Sequence, residues 1–211
     1  MKIDSQTARE LEFFQRTNGS LTVFDLIDKT LTKDGRARLQ QKIINPMSSI
    51  KDILATQDSI RFMMCQSREW SFPFTQGDFD WLQNYLSSNY RVFRQDEGLI
   101  GNIQSLALRY RGPEFCDFAK QGVKIALEFL ASAAGLYRLL DKGDVPRKIQ
   151  LELEFFSRLL EYGGLSKLLH DPATLKLGMS EILNLDYMFR HDIKTTLLEL
   201  LERLAELDSL I

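Results

Sequence analysis

Valine, cysteine, histidine and tryptophan are all scarce in this chain of 211 residues, which carries four valines against 34 leucines, two cysteines, two histidines and two tryptophans. The shortage of valine bears on fold class, because β-branched side chains suit strands whereas leucine suits helices. Alternating apolar and polar residues are also rare, so the sequence reads as all-α. Cys65 and Cys116 have no CxxC spacing, which excludes a disulfide framework and reads as two reduced, buried thiols in helical surroundings. His170 and His191 are too far apart, and too far from either cysteine, to form a zinc site. Neither GxxxxGK[ST] nor GxGxxG occurs, so no nucleotide or other cofactor is expected in this chain.

Long apolar runs are missing too. None approaches the roughly 20 residues of a membrane span, and the stretch from Met1 to Glu12 is polar and charged rather than signal-like. The expectation is a cytoplasmic protein with no membrane partner. Lysine and arginine number 27 against 29 acidic residues, a net charge of -2. No global basic field recruits nucleic acid, although a few local phosphate contacts stay open. Asp78 and Asp80 are split by Phe79 across a helix, which favours an N-cap before Trp81 over a metal pair. With so few convergent titratable groups, the chain reads as a non-enzyme.

What is present is helical punctuation. Ser20 reads as a cap for a helix over 21–28. Thr32 caps the next helix, which Asn45-Pro46 stops, and Ser49 caps a third. The aromatic segment from Ser67 to Asp80, broken by Pro73 and Gly77, reads as a loop packed on the core. Further helices are expected over 79–86, 98–109 and 114–140, and again after Pro146 up to Gly163-Gly164. From Ser180 to Ile211 the apolar residues Ile182, Leu185, Phe189, Ile193, Leu197, Leu200, Leu204, Leu207 and Ile211 recur every three or four positions. They predict one unbroken amphipathic helix with Arg190, Lys194, Glu199, Glu202, Arg203 and Glu206 on its solvent side. No stop signal closes it, so a longer natural polypeptide is expected.

Lys29, Lys33, Arg36, Arg38 and Lys42 bunch around the second helix as a candidate phosphate-contacting patch, with a solvated helix face as the plain alternative. Arg91, Arg94, Arg109 and Arg111 are interleaved with Tyr90, Phe93 and Tyr110. That composition suits base stacking, and equally suits arginine stems lying over apolar surface.

A family resemblance rests on the two ends. Ile3-Asp4, Thr7, Leu11-Glu12 and Gly19-Ser20-Leu21 lead into Asp28-x-Thr30-x-Thr32-x-x-Gly35-x-x-x-Leu39 and Ile43-x-x-Pro46. This resembles the start of the core (lever) region of the MutS-type DNA mismatch-repair ATPases. Leu185-Asp186-Tyr187, Phe189-Arg190 and Ala205-Glu206-Leu207-Asp208 resemble the segment that in this family runs down to the nucleotide-binding domain. Ala37 stands where an arginine is usual, between Arg36 and Arg38, and Lys42 replaces the usual aromatic, which marks a divergent branch.

The resemblance implies a multi-helical core with long antiparallel lever helices. Residues 1–66 would be core helices, 67–179 the core and lever continuation without the clamp insertion, and 180–211 a terminal lever helix leading to an ATPase domain. Asp28, Thr30, Thr32, Gly35, Leu39, Pro46, Leu207 and Asp208 would form a structural joint. ATP and Mg would belong to that downstream domain. DNA would be engaged through the parent protein, an ATPase and homodimer. The competing reading is a helical protein-interaction scaffold unrelated to DNA. Since the chain has no phosphate loop, the purified 211-residue protein is expected to show no saturable ATP binding by calorimetry; a clean binding isotherm would overturn this expectation.

Overall fold

The structure, a computed structural model, describes residues 13–14, 22–66, 72–94, 112–169 and 177–210. Among these residues the regular elements are helical and no strand occurs, so the fold is all-α. No helix among them is long and apolar enough to cross a membrane. Several expectations lie outside the described residues: the first twelve positions, Ser20 and Leu21, the helix over 98–109, the turn at His170-Asp171-Pro172, and Ile211. The chain divides into two compact units. One comprises Met1–Gln76, Leu139–Leu153 and Glu202–Ile211, the other Gly77–Arg138 and Glu154–Leu201.

In the first unit, helix α1 (Val23–Ile27) is capped by Thr22 in a reciprocal capping box with Asp25. Each side chain there satisfies a backbone N–H that the helix leaves unpaired. Helix α2 (Lys33–Ile44) starts at Thr32 and ends at Asn45, immediately before Pro46. Helix α3 spans Ile50–Gln66. Phe72 and Phe74 are buried in edge-to-face contact at 5.4 Å, so these two rings of residues 72–75 pack inward as expected; residues 67–71 lie outside the described residues, and 76–80, expected in the loop, are already helical. Met63, Ile149, Leu204 and Leu207 complete this core.

The second unit is built on α4 (Gln76–Ser87) and the long α5 (Pro113–Leu140). Small residues on α5, among them Ala119, Ala126, Ala133 and Ala134, alternate with buried Leu127, Leu130 and Leu136. A side chain at Gly122 would place Cβ 2.1 Å from the Tyr85 ring, so glycine is what lets α4 and α5 approach there. Helix α6 (Arg147–Glu161) sets Phe156 in a stacked pair with Tyr137 at 4.3 Å. Gly163 and Gly164, with φ of 54° and 75°, end it in the left-handed region before the short α7 (Leu165–Leu168).

The terminal segment departs from the sequence reading. It is not one unbroken α-helix but α8 (Met179–Tyr187), a π turn over Met188–Asp192, and α9 (Lys194–Asp208). Arg190, expected on the solvent side, is only 6% exposed. The physical reason is that its guanidinium has buried partners, described below. Of the expected apolar stripe, Ile182, Phe189, Ile193, Leu197, Leu200, Leu204 and Leu207 are buried, with Phe189 and Ile193 at 0% and 3% exposure, whereas Leu185 is only half-buried. Truncating a buried phenylalanine costs about 3–5 kcal/mol, against a usual domain stability of roughly 5–15 kcal/mol. Phe189→Ala is therefore expected to lower Tm steeply. Glu202→Ala, whose side chain is 73% exposed, should stay within about 0.5 kcal/mol. Equal, small shifts in thermal circular dichroism would mean that the terminal helix is not part of the core.

Candidate functional site

The first unit contains a hydrogen-bonded joint between two segments far apart in sequence. Asp208, at the end of α9 and fully buried, directs its carboxylate at the start of α2. The backbone N–H of Leu31 donates to Oδ1 at 3.0 Å, and that of Thr32 donates to Oδ2 at 2.9 Å. The Thr32 hydroxyl donates to the same Oδ2 at 2.6 Å while accepting from the Gly35 N–H at 3.0 Å. Thr32 thus caps α2 and relays the cap to a carboxylate, at the helix end where unpaired N–H groups favour negative charge. Gly35 makes room for it, since a Cβ there would lie 2.1 Å from Asp208 Oδ2.

The flanking residues support the same corner. Asp28 accepts from the Thr30 N–H and hydroxyl at 3.0 and 2.6 Å, and pairs with Arg36 at 2.6 Å. Leu207 is buried and Leu39 half-buried, whereas Pro46 is exposed just beyond the α2 C-cap. Of the eight expected joint residues, Thr32, Gly35 and Asp208 are in direct contact. Asp28 and Thr30 form the adjacent turn. Pro46 stands outside this hydrogen-bonded set and serves only to stop α2.

The basic cluster is engaged with acids of the same chain. Arg36 pairs with both Asp25 and Asp28, at 2.7 and 2.6 Å. Arg38 reaches Glu202 at 3.4 Å, and Lys42 pairs with Glu206 at 2.7 Å and donates to the Ser209 hydroxyl. Burial lowers the pKa of Lys42, against the opposing Glu206 carboxylate. The Thr22 side chain and backbone, followed by Arg36, hold the Asp25 carboxyl below its ordinary range. Lys29 is exposed in the turn before α2, and Lys33 is exposed at the first position of α2. Grouping in sequence therefore does not give a free cationic patch, because α9 brings acids to the same face.

A second constellation, in the other unit, is not foreseen by the sequence reading. Tyr85 donates its hydroxyl to Asp186 Oδ1 at 2.8 Å, and Arg190 pairs with Asp186 Oδ2 at 3.1 Å. Arg190 also donates to the Tyr90 carbonyl, and its guanidinium faces the Phe118 and Tyr85 rings at 5.3 and 5.8 Å. The Arg190 and Asp186 side chains are 2% and 0% exposed. Asp186 and Arg190 are four residues apart on the apolar side of the stripe, which is the signal that could have found them. Burial is the largest influence on the Asp186 carboxyl and raises its pKa above 3.8, against Tyr85 and Arg190. Burial likewise raises the Tyr85 hydroxyl.

Cys116 is buried as expected, but Cys65 is exposed near the end of α3, where Met63 takes the inward position. His191 stacks on Tyr187 and contacts Asp192 at the surface. Among the described residues, no three His, Cys, Asp or Glu side chains group as they would to hold a metal. Comparisons with models of known families, with curated proteins and with solved structures find no match to this chain.

Two predictions come from these geometries. Gly→Ala in an open helix stabilises by roughly 0.5–1 kcal/mol, and a Cβ added at Gly135 in α5 would meet nothing within 4 Å. Gly135→Ala is expected to raise the urea midpoint. Gly35→Ala is expected to lower it, at a stability cost of about 1–3 kcal/mol, because the methyl displaces the carboxylate. A stabilising Gly35→Ala would show that Asp208 is not seated there. The second prediction concerns pH. With its pKa raised in the folded state, Asp186 contributes stability that is fully present below 3.8 and is lost as pH rises through the folded value. Asp186→Asn cannot titrate, so its stability profile as pH rises above about 3.8 should lack that decline. An unchanged slope would contradict the assignment.

Proposed function

We propose that this chain is the non-catalytic helical core and lever region of a MutS-related, DNA-associated ATPase, coupling the state of the ATPase to engagement of DNA. The observation that carries the reading is the joint at the start of α2. The two sequence segments on which the resemblance rests lie at opposite ends of the chain, and they supply the two halves of one hydrogen-bonded corner. Thr32 and Gly35 come from the first, and Asp208 from the second. A buried corner of this kind suits a mechanical part, because densely packed helices transmit displacement instead of absorbing it.

In this reading the long antiparallel helices act as levers. ATP and Mg belong to a downstream domain, the parent is a homodimer, and its place of work is the cytoplasm. Arg36, Arg38 and Lys42 are held by carboxylates, so DNA contact by this chain is weak and local. A helical interaction scaffold unrelated to DNA is the alternative, favoured by that same neutralisation of the basic cluster.

A gel-shift series with homoduplex, mismatched and branched DNA at rising salt tests the proposal. Roughly two or three phosphate contacts give a log–log salt slope of about −2 to −3. Weak binding at low salt that fades towards physiological salt is the expected result. Absence of binding even at low salt supports the scaffold reading, and tight, salt-resistant binding contradicts the charge analysis.

A further inference from the structure

Helix α3 buries one side and leaves an apolar stripe on the other. At about 100° per residue, Ile50, Leu54, Gln57, Arg61 and Met64 share a sector of roughly 80°. All five are exposed, with Ile50 at 76%, Leu54 at 51% and Met64 at 59%. The opposite side carries Ser59 and Met63, both fully buried, so the packing face of the helix is already taken. Exposed helix faces are ordinarily polar, and a row of aliphatic side chains facing water marks an interaction surface. The N-terminal end is the most open part, since Ile50, Lys51, Asp52, Ile53 and Leu54 are all exposed.

The edges of the stripe indicate what it fits. Lys51 and Asp58 stand one heptad apart, which puts them on the same edge, while Ile53 and Ile60 line the other. Both charged residues are exposed, and Asp58 shares its carboxylate with Arg61 at 3.2 Å. When two such helices pair antiparallel about a two-fold axis, each edge faces the same edge of the other copy. A register that sets Leu54 of each copy against Gln57 of the other also sets each Lys51 beside the other copy's Asp58. Sliding by one heptad brings Asp58 against Asp58 or Lys51 against Lys51, which is unfavourable. A parallel pairing lays both charges against the isoleucine edge instead. Charge complementarity is thus internal to the stripe, and it singles out one antiparallel register.

From this self-complementarity we infer that α3 is a homodimerisation surface, pairing with the α3 of a second copy in an antiparallel, two-fold symmetric contact. The inference stands whether or not the chain belongs to a DNA-associated ATPase. Ile50 covers the Arg61 stem of the second copy, Leu54 packs on its Gln57, and Ile53 meets its Ile60. A single helix face covers less than the roughly 800 Å² per partner found in stable complexes. Association is therefore transient, with a dissociation constant of about 10 µM to 1 mM.

Sedimentation equilibrium of the full chain at rising concentration tests the pairing. The weight-average mass is expected to climb from monomer towards dimer. Leu54→Glu, at an exposed position, is expected to leave the circular dichroism spectrum and Tm unchanged and to hold the chain monomeric throughout. Lys51→Glu and Asp58→Lys are each expected to weaken association roughly tenfold, because each inverts two symmetry-related pairs. The double variant Lys51→Glu/Asp58→Lys exchanges the charges and is expected to restore it. A chain that stays monomeric at every concentration overturns the inference and leaves the stripe to a different protein. Dimers that survive Leu54→Glu put the contact elsewhere and overturn it too. A double variant as weak as the single ones overturns the antiparallel register.

Discussion

A single buried carboxylate ties the end of α9 to the beginning of α2. Asp208 receives two backbone N–H groups and one hydroxyl from Leu31 and Thr32. Its position at a helix N-terminus supplies favourable electrostatics, and burial leaves its lone pairs no water to fall back on. Thr32 cannot be considered apart from it, because the hydroxyl that caps Gly35 is the hydroxyl that donates to Asp208. Nor can Gly35, whose missing side chain is the space the carboxylate occupies. Three residue choices, two near one end of the sequence and one near the other, therefore form one physical unit.

That constraint also shapes the surface around it. Once α9 is anchored at Asp208, the same helix presents Glu202 and Glu206 to Arg38 and Lys42. The exposed Arg38–Glu202 pair contributes only about 0–1 kcal/mol, while Lys42 is half-buried. The larger consequence of both pairs is electrostatic, because they remove the local excess of positive charge that a nucleic acid would need. The proposed role in a DNA-associated ATPase accordingly rests on the joint and on the mechanics of packed helices, with little weight on direct phosphate contact.

Much of the helical layout is legible in the sequence because it depends on local chemistry. Thr32 as a cap, Asn45-Pro46 as a stop and the inward Phe72 and Phe74 follow from side-chain propensity and periodicity. Gly35 is legible as a special position, but its reason is not, because the partner lies at Asp208 and no local rule pairs the two. The same limit hides the fate of the basic cluster, whose acids arrive on a distant helix. Charge alone puts Arg190 on the solvent side, although its angular position lies inside the apolar sector; position is the better guide there than residue type. The π turn leaves no periodic trace, since the stripe on both sides of it obeys one straight-helix pattern.

The central claim is that Asp208 and Thr32 stabilise the protein jointly. A double-mutant cycle on urea unfolding with Thr32→Val, Asp208→Ala and the pair measures it most directly. Hydrogen bonds to a charged group are each worth about 1.5–3 kcal/mol net, so a coupling energy in that range is predicted. Additivity to within about 0.5 kcal/mol would contradict the account, because two residues in one hydrogen-bonded unit cannot contribute independently.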